Sequence, residues 1–368
     1  MMQIRASIQE ASHVAQARRT VTDLAIRCGF GEVATGRLAI AVSEAATNIL
    51  KYGGDGELLI RTLQEEVAGP AAPQVEVIAI DRGPGMANLG ASLRDGFSTA
   101  GTAGNGLGAM SRLATAFDIY SAPGKGTVLR MAFSPSDRMA APDLPAISVG
   151  SVCVPIAGET ECGDGWHVSS ARELSSLTVA DGLGHGPDAA RAAEAAKRVA
   201  AAHAFVAPAV LIGHAHAALR ATRGAAIAVA RIETEAGRIR FAGIGNICAC
   251  VVTPGALGSA GTRRQLMSHN GIVGCTMRKV TEVEAPWPPD TLLILHSDGL
   301  GTHWDLDDYP GLSARHPAIV AAVLYRDFAR GRDDVTVIVC RRNSECRTWT
   351  GPASAPDSPA AAGQGALS

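Results

Sequence analysis

The chain has 368 residues, with 33 Lys and Arg against 35 Asp and Glu and a formal net charge of −2. This length exceeds what one hydrophobic core normally covers, so we expect two domains. No Lys/Arg run could neutralise nucleic-acid phosphates or anionic lipid, and no apolar stretch reaches membrane-spanning length, which excludes nucleic acid and membrane as expected partners.

The N-terminal residues mix charged and apolar side chains and lack the pattern of a signal peptide, so a cytoplasmic location is expected. Eight cysteines are scattered without a Cys-x-x-Cys pair, and several lie within apolar, strand-like runs. We therefore expect reduced, buried thiols rather than zinc ligands or disulfides.

The first clear element is a helix between Gly31 and Tyr52. Apolar residues recur there at intervals of three and four and predict one buried stripe, formed by Leu38, Val42, Ala45 and Ile49. Glu44 and Asn48 lie four residues apart on the other side, so a carboxylate and an amide can face one ligand. The amide oxygen suits Mg²⁺ and the carboxylate can orient a nucleophile, although a solvated helix face has the same composition.

A strand over residues 74–80 then leads directly into Asp81-Arg-Gly-Pro-Gly85. A carboxylate at a strand end can accept a hydrogen bond from an exocyclic amine, and Gly83 and Gly85 allow the backbone to approach a flat base. An ordinary turn would also fit this segment.

A glycine-rich segment, Gly104-Asn-Gly106-Leu-Gly108, precedes a helical run over residues 109–116. Free N–H groups and a helix N-terminus favour phosphate binding. The segment lies late in the domain and lacks an acidic residue at the ribose spacing, which argues against a dinucleotide-binding fold.

Together with the closing segment Gly124-Lys-Gly-Thr127, these elements resemble the gyrase, histidine-kinase and MutL ATPase superfamily, and most closely its bacterial anti-sigma and switch-protein serine kinases. The resemblance covers about residues 1–135. It implies an α/β sandwich of the histidine-kinase-like ATPase type that binds ATP with Mg²⁺. The roles it implies are Mg²⁺ binding by Asn48, adenine recognition by Asp81, nucleotide contacts by Gly83, Gly85 and Thr127, phosphate binding by Gly104, Gly106 and Gly108, and polarisation of an attacking hydroxyl by Glu44.

Residues 136–146 are proline-rich without apolar periodicity and predict a linker. Beyond it, several aspartates lie at the ends of predicted strands. A strand over residues 175–180 enters Asp181-Gly-Leu-Gly-His-Gly186, which an alanine-rich helix follows over residues 187–204; a second strand over residues 291–296 precedes Asp298; and Asp333-Asp334 opens a third over residues 335–340. Hard divalent cations prefer several oxygen ligands, so converging carboxylates suit a Mg²⁺ or Mn²⁺ pair. A single Asp-Gly is more often only a turn.

The ordered set Gly163-Asp164-Gly165, Asp181-Gly182, Ser297-Asp298-Gly299 and Asp333-Asp334 resembles the metal-dependent serine/threonine protein phosphatases, in particular the compact bacterial branch typified by SpoIIE and RsbX. The resemblance covers about residues 147–342 and implies an αββα sandwich. It implies that Asp181 and the Gly182 carbonyl bridge two Mn²⁺ or Mg²⁺ ions, with Asp164 and Asp298 on one side and Asp333 on the other, and that Asp181 and Asp298 are catalytic.

Three points stay open at this stage. The basic residue that binds substrate phosphate in larger eukaryotic members of the family has no counterpart, which leaves phosphate recognition to metals or to an unidentified group. His185 is either a proton donor to the leaving alkoxide or a cap of the following helix. The motif favours Asp333 over Asp334 as the ligand, and His296 is expected in the core.

The two resemblances thus imply a two-domain α/β protein of bacterial partner switching, with a phosphoserine/phosphothreonine phosphatase fused to an ATP-binding serine kinase-like domain. They also imply, without support from the residues themselves, a STAS-type anti-sigma antagonist or stressosome-like protein as the substrate and a sigma factor as a further partner. In the alternative, the N-terminal domain binds ATP and a sigma factor or another partner without transferring phosphate. Residues 343–368 predict a disordered tail.

Overall fold

The structure is a computed structural model that describes residues 2–63, 73–92, 106–135, 147–171, 173–255 and 260–343. The predicted linker and all but the first residue of the predicted tail lie outside these ranges. The helices are α1 (Ala11–Arg27), α2 (Glu32–Asn48), α3 (Leu89–Ser92), α4 (Gly106–Leu113), α5 (Pro187–Ala202), α6 (Pro208–Ala218) and α7 (Pro317–Phe328).

The strands of the N-terminal part are β1 (Ile4–Ile8), β2 (Gly56–Leu63), β3 (Gln74–Asp81), β4 (Ala116–Ser121) and β5 (Thr127–Phe133). Those of the C-terminal part are β6 (Ile147–Val154), β7 (Asp164–Ala171), β8 (Leu174–Gly182), β9 (Ala225–Glu233), β10 (Arg238–Ile244), β11 (Cys248–Thr253), β12 (Thr262–Leu266), β13 (Val283–Pro286), β14 (Leu292–His296) and β15 (Val335–Arg342).

The N-terminal part is one antiparallel sheet in the order β1-β2-β3-β5-β4, with α1, α2 and α4 packed on one face. The predicted stripe of α2 is buried as expected: Leu38, Val42 and Ala45 lie in this core, and Ile49 follows them. The α-helix ends at Asn48, and a π-helical turn continues it over Ile49–Gly53. Such a turn widens the helix locally and is frequent at functional sites.

The C-terminal part contains two further five-stranded sheets, in the orders β13-β10-β9-β8-β7 and β12-β11-β14-β15-β6. Large apolar side chains from both sheets, including Phe241, Leu293 and Ile338, fill the space between them. Helices α5 and α6 cover the outer face of the first of these sheets, and α7 covers that of the second. The predicted αββα sandwich is therefore confirmed, and the predicted two-domain α/β class with it.

Helix α7 is shared by the two domains. Its residues from Pro317 to Arg326 are all buried, although an amphipathic helix on a sheet normally keeps one face in water. One side packs on β6 and β15, and the other packs on β3 and β5 of the N-terminal sheet. The layers therefore run helix, sheet, α7, sheet, sheet, helix.

A buried polar network joins the same two domains. Glu76 accepts a hydrogen bond of 2.7 Å from Arg61 Nε and another of 2.7 Å from Arg130 Nε, and Arg61 also donates to Ser151 Oγ on β6. Burial alone would raise the pKa of Glu76, but the two guanidinium groups outweigh it and lower this pKa to about 2. The network thus keeps three charges paired at the domain interface.

Among the described residues, seven cysteines have free thiols, of which Cys153, Cys162, Cys250 and Cys340 are buried and Cys275 is exposed. Reduced thiols were expected, and the departures from burial are the half-buried Cys28 and Cys248 and the exposed Cys275. No helix in the described part of the chain combines the length and the apolar character needed to cross a bilayer.

We expect Glu76→Ala to lower the free energy of unfolding by about 3–5 kcal/mol, because it leaves two buried guanidinium groups unpaired. Since folding depresses the pKa of Glu76, its contribution is present above the ordinary value of 4.5 and is lost as the pH falls towards 2. Urea denaturation at pH 7 and at pH 3 measures both effects. Glu235→Ala, at an exposed turn, is the control, and an equal loss in both variants would contradict the role of the network.

Candidate functional sites

The first candidate site lies where β3 ends. Asp81 Oδ1 accepts hydrogen bonds from the backbone N–H of Gly83 at 2.9 Å and of Thr127 at 3.1 Å, so the turn and the start of β5 orient this carboxylate. Burial raises the pKa of Asp81. Gly85 has φ +68°, and a Cβ there would lie 2.0 Å from the Ala122 carbonyl oxygen, so this position requires glycine.

The second part of this site joins α2 to α4. A Cβ on Gly106 would lie 2.5 Å from Glu44 Oε1 and 3.5 Å from Asn48 Nδ2, so the start of α4 contacts both predicted side chains. The helix begins at Gly106, three residues before the predicted start, and it contains Gly108, which is buried. The glycines allow the first turn of α4 to approach α2 closely. Gly104 lies outside the described residues.

The π-helical turn brings these two parts together. A Cβ on Gly53 would lie 2.7 Å from Asp81 Cβ, so the continuation of α2 reaches the end of β3. Three features thus line one side of the sheet. They are the Asp81 carboxylate, which can accept a hydrogen bond from an amine, the Asn48 amide beside the Glu44 carboxylate, and the N-terminus of α4. This is the set of groups that a magnesium nucleotide needs.

The aspartates of the C-terminal domain also converge. Asp164, which opens β7, lies directly opposite Asp181 near the end of β8. Asp298 follows β14 and Asp333 precedes β15, the neighbouring strand of the other sheet. Asp181, Asp298 and Asp333 line one cavity of about 410 Å³ at the end of the sandwich, and the structure therefore brings together residues far apart in the sequence.

The electrostatics of this cluster are unfavourable without a counter-charge. Burial, followed by repulsion from Asp298 and Asp333, raises the pKa of Asp181 to about 7. Burial and the Asp181 charge raise the pKa of Asp164 well above its ordinary range. Like charges at this proximity disfavour joint ionisation, and a bound cation would relieve that penalty.

Hydrogen bonds hold several of these carboxylates. Asp164 Oδ2 accepts from Ser297 Oγ at 2.6 Å, and Asp298 Oδ2 accepts from Asn246 Nδ2 at 2.7 Å. Asp334 is buried, and its two oxygens accept from the backbone N–H groups of Ile156 at 2.8 Å and Gly163 at 2.7 Å. Asp334 thus binds the loop before β7, while Asp333 lines the cavity.

Three residues close in sequence to the aspartates, Gly182, His185 and His296, have well-defined contacts. Gly182 pairs with Ala225 on β9, and a Cβ there would lie 2.2 Å from the Ala189 carbonyl oxygen, so α5 can pack closely on the end of β8. His185 Nδ1 lies 3.0 Å from Glu159 Oε1, and no side chain caps α5, so His185 does not serve as the predicted cap. His296 is buried with its pKa lowered by burial to about 4, which confirms a core histidine.

Sequence reasoning missed Asn246. It follows Gly245 after β10, lines the cavity and donates to Asp298. The signal in the sequence is an exposed Gly-Asn after a buried strand, and this pattern also fits an ordinary turn.

The donor set fits hard divalent cations, since the polar side chains that line the cavity are carboxylates and amides, which offer oxygen ligands. No three Asp, Glu, His or Cys side chains within the described ranges stand ready around one point.

Two family models match the chain. The model described as histidine kinase-like ATPase domain matches residues 8–133, and the model described as Stage II sporulation protein E (SpoIIE) matches residues 173–343. The two matches fall on the two bodies of the structure, one on each.

The chain is similar to the serine/threonine-protein kinase RsbT of Bacillus subtilis (strain 168), with 37% identity over 117 residues that make up 32% of this chain and 85% of RsbT. RsbX in complex with magnesium is 20% identical, with 54% of this chain and 96% of RsbX covered and a TM-score of 0.46. The PP2C phosphatase domain of SpoIIE from Bacillus subtilis, solved with a fragment of its regulatory domain, is 15% identical, with 90% and 97% covered and a TM-score of 0.43.

We expect Asp181→Asn to stabilise the metal-free protein at pH 8 by about 2 kcal/mol or more, since one pKa unit corresponds to about 1.4 kcal/mol. Folding raises the pKa of Asp181 from 3.8 to about 7, so its charge opposes folding increasingly as the pH rises through this range. Thermal denaturation with EDTA measures the gain, and added Mn²⁺ should stabilise only the wild type. Asp23→Asn, on an exposed part of α1, is the control; a destabilised Asp181→Asn would contradict the repulsion.

Proposed function

Since the chain belongs to the RsbT family through its histidine kinase-like ATPase domain, and this domain is fused to a SpoIIE-type phosphatase domain, we propose a function for the pair. The two domains add and remove phosphate on one protein of a partner-switching pathway. The C-terminal domain is proposed to hydrolyse phosphoserine or phosphothreonine. The substrate is a STAS-type antagonist or stressosome-like protein in the cytoplasm, and a sigma factor is a further partner. The domains extend over residues 1–135 and 147–342.

One observation carries the phosphatase assignment: aspartates from three strand ends, Asp181, Asp298 and Asp333, line one cavity, and Asp164 pairs with Asp181 across β7 and β8. We assign Asp181 and the Gly182 carbonyl to two divalent cations, with Asp164, Asp298 and Asp333 as the remaining protein ligands. When bound, such a cation pair supplies Lewis acidity and neutralises phosphate charge. Mn²⁺ and Mg²⁺ both suit these oxygen donors.

The chain's own residues prepare this chemistry. Asn246 orients Asp298 through its amide, Ser297 orients Asp164, and Asp334 fixes the loop that carries Gly163 and Asp164. His185 is exposed and its Nδ1 lies 3.0 Å from Glu159 Oε1, so Nε2 is the ring nitrogen through which it could reach a leaving group.

We expect Asp333→Asn to reduce Mn²⁺-dependent release of phosphate from a phosphorylated STAS protein at least about 100-fold with little change in stability, because it removes a cavity carboxylate. Asp334→Asn should instead lower the free energy of unfolding, because an amide has one acceptor oxygen for two backbone N–H groups. Phosphate release and urea denaturation measure the two effects. Loss of stability in Asp333→Asn, with unchanged stability in Asp334→Asn, would reverse the assignment.

For the N-terminal domain, the contact of Gly106 with Glu44 and Asn48 supports ATP binding with Mg²⁺ at Asn48. We assign adenine recognition to Asp81 with Gly83, Gly85 and Thr127, and activation of the attacking serine or threonine hydroxyl to Glu44. Gly104, Gly106 and Gly108 are assigned to the phosphates. Without phosphate transfer, the domain would be a binding module for ATP and a sigma factor or another partner.

Glu44→Gln separates these two roles. We expect it to reduce phosphorylation of the STAS protein at least about 100-fold, in the range by which general-base catalysis contributes, while ATP binding by calorimetry stays within about twofold. Glu32→Gln, in the exposed first turn of α2, is the control. Absence of any transfer by the wild type, with ATP binding intact, would favour the binding module.

A further inference from the structure

An arginine lies at the rim of the phosphatase cavity. Arg223 Nη1 is 3.4 Å from the position that a Cβ on Gly184 would occupy, and Gly184 lines the cavity together with Asp181 and Asp298. The side chain of Arg223 is 52% exposed, and its Nη2 is 2.8 Å from Asp188 Oδ2 at the start of α5. A guanidinium group therefore borders the opening of a cavity whose own lining, in the described residues, includes neither Lys nor Arg.

The backbone fixes this position. Thr222 N donates to the Leu219 carbonyl oxygen at 2.9 Å, and Thr222 Oγ1 accepts from Gly224 N at 3.0 Å, so residues 219–224 form a closed turn. Leu183 N donates to the Gly224 carbonyl oxygen at 3.1 Å, which ties the turn to the loop after Asp181. The base of the Arg223 side chain thus keeps a constant distance from the metal-binding end of β8.

Charge balance indicates a need for such a group. Two divalent cations would leave one negative charge uncompensated if all the aspartates at this end of the sandwich were ionised. These aspartates are Asp164, Asp181, Asp298, Asp333 and Asp334. A phosphorylated serine brings a further charge of about −1.5 to −2. An additional cation at the opening would offset this repulsion, and arginine suits the task because its planar fork can donate two hydrogen bonds to one phosphate.

The neighbouring basic side chains on α5, Arg191 and Lys197, are paired with carboxylates of the same helix. Arg191 Nη2 pairs with the same Asp188 at 2.6 Å but is 74% exposed on α5, and Lys197 pairs with Glu194. Since Asp188 is shared by two arginines, it neutralises neither fully. Positive charge therefore remains at the start of α5, beside Gly184.

We propose that Arg223 is the residue that binds the phosphate of the phosphoserine or phosphothreonine substrate at the mouth of the cavity. This inference rests on the phosphatase function proposed above. It identifies the group for substrate phosphate that the sequence motifs lack. Arg223 sets affinity for the phosphoryl group, while the carboxylates serve the cations.

The test compares Arg223→Ala with Asp188→Ala, which breaks the same ion pair but leaves the guanidinium in place. With Mn²⁺ and a phosphoserine peptide, Arg223→Ala should raise KM about tenfold or more and change kcat less than about threefold, as expected for loss of a charge-assisted hydrogen bond in binding. Arg223→Lys should retain part of the affinity. Asp188→Ala and Arg191→Ala should keep KM within about twofold of the wild type.

Binding of inorganic phosphate to the Mn²⁺-loaded protein, measured by calorimetry, gives a readout independent of turnover. It should weaken about tenfold or more in Arg223→Ala, while Mn²⁺ affinity stays unchanged. An unchanged KM and unchanged phosphate binding in Arg223→Ala would overturn the inference and leave the proposed function intact. If the wild type releases no phosphate, the proposed function fails, and weaker phosphate binding by Arg223→Ala would still support the anion site.

Discussion

Repulsion among carboxylates at one end of the C-terminal sandwich is the constraint on which the rest of the structure depends. Strand pairing holds Asp164 against Asp181, and Ser297 donates to Asp164. Asn246 donates to Asp298, and backbone amides donate to Asp334. The apolar core between the sheets must supply the stability that this arrangement costs. The energy so stored is available to a divalent cation, whose binding would replace repulsion by attraction.

The N-terminal site depends instead on the close approach of backbone segments to one another. Gly53 allows the π-helical turn to reach Asp81, and Gly106 allows α4 to reach Glu44, so polar groups meet where larger side chains would keep them apart. The Asp81 carbonyl oxygen also accepts from Arg326 Nη1 at 3.4 Å, near the end of α7. Shortly after that end, Arg330 N donates to the Gly299 carbonyl oxygen at 2.9 Å, beside Asp298. One short segment thus contacts both sites.

Local sequence patterns predicted much of the fold and many of the candidate site residues. The stripe of α2 and the strand-end aspartates follow from periodicity and from the position of each residue in its own element, and the ordered motifs gave the fold of both domains. The roles of Asn246 and Arg223 were not predictable in this way, because each depends on a loop contact with a distant segment. The start of α4 was placed three residues late, since glycines are poor helix formers unless packing favours them.

The shared burial of α7 affects how the two halves can come apart. Its apolar side chains face the N-terminal sheet on one side and β6 and β15 on the other, and Arg61 reaches across to Ser151. A protease cut between residues 135 and 147 would therefore leave the fragments bound to each other as a noncovalent complex. Expression of either fragment by itself would expose an apolar surface to water and favour aggregation.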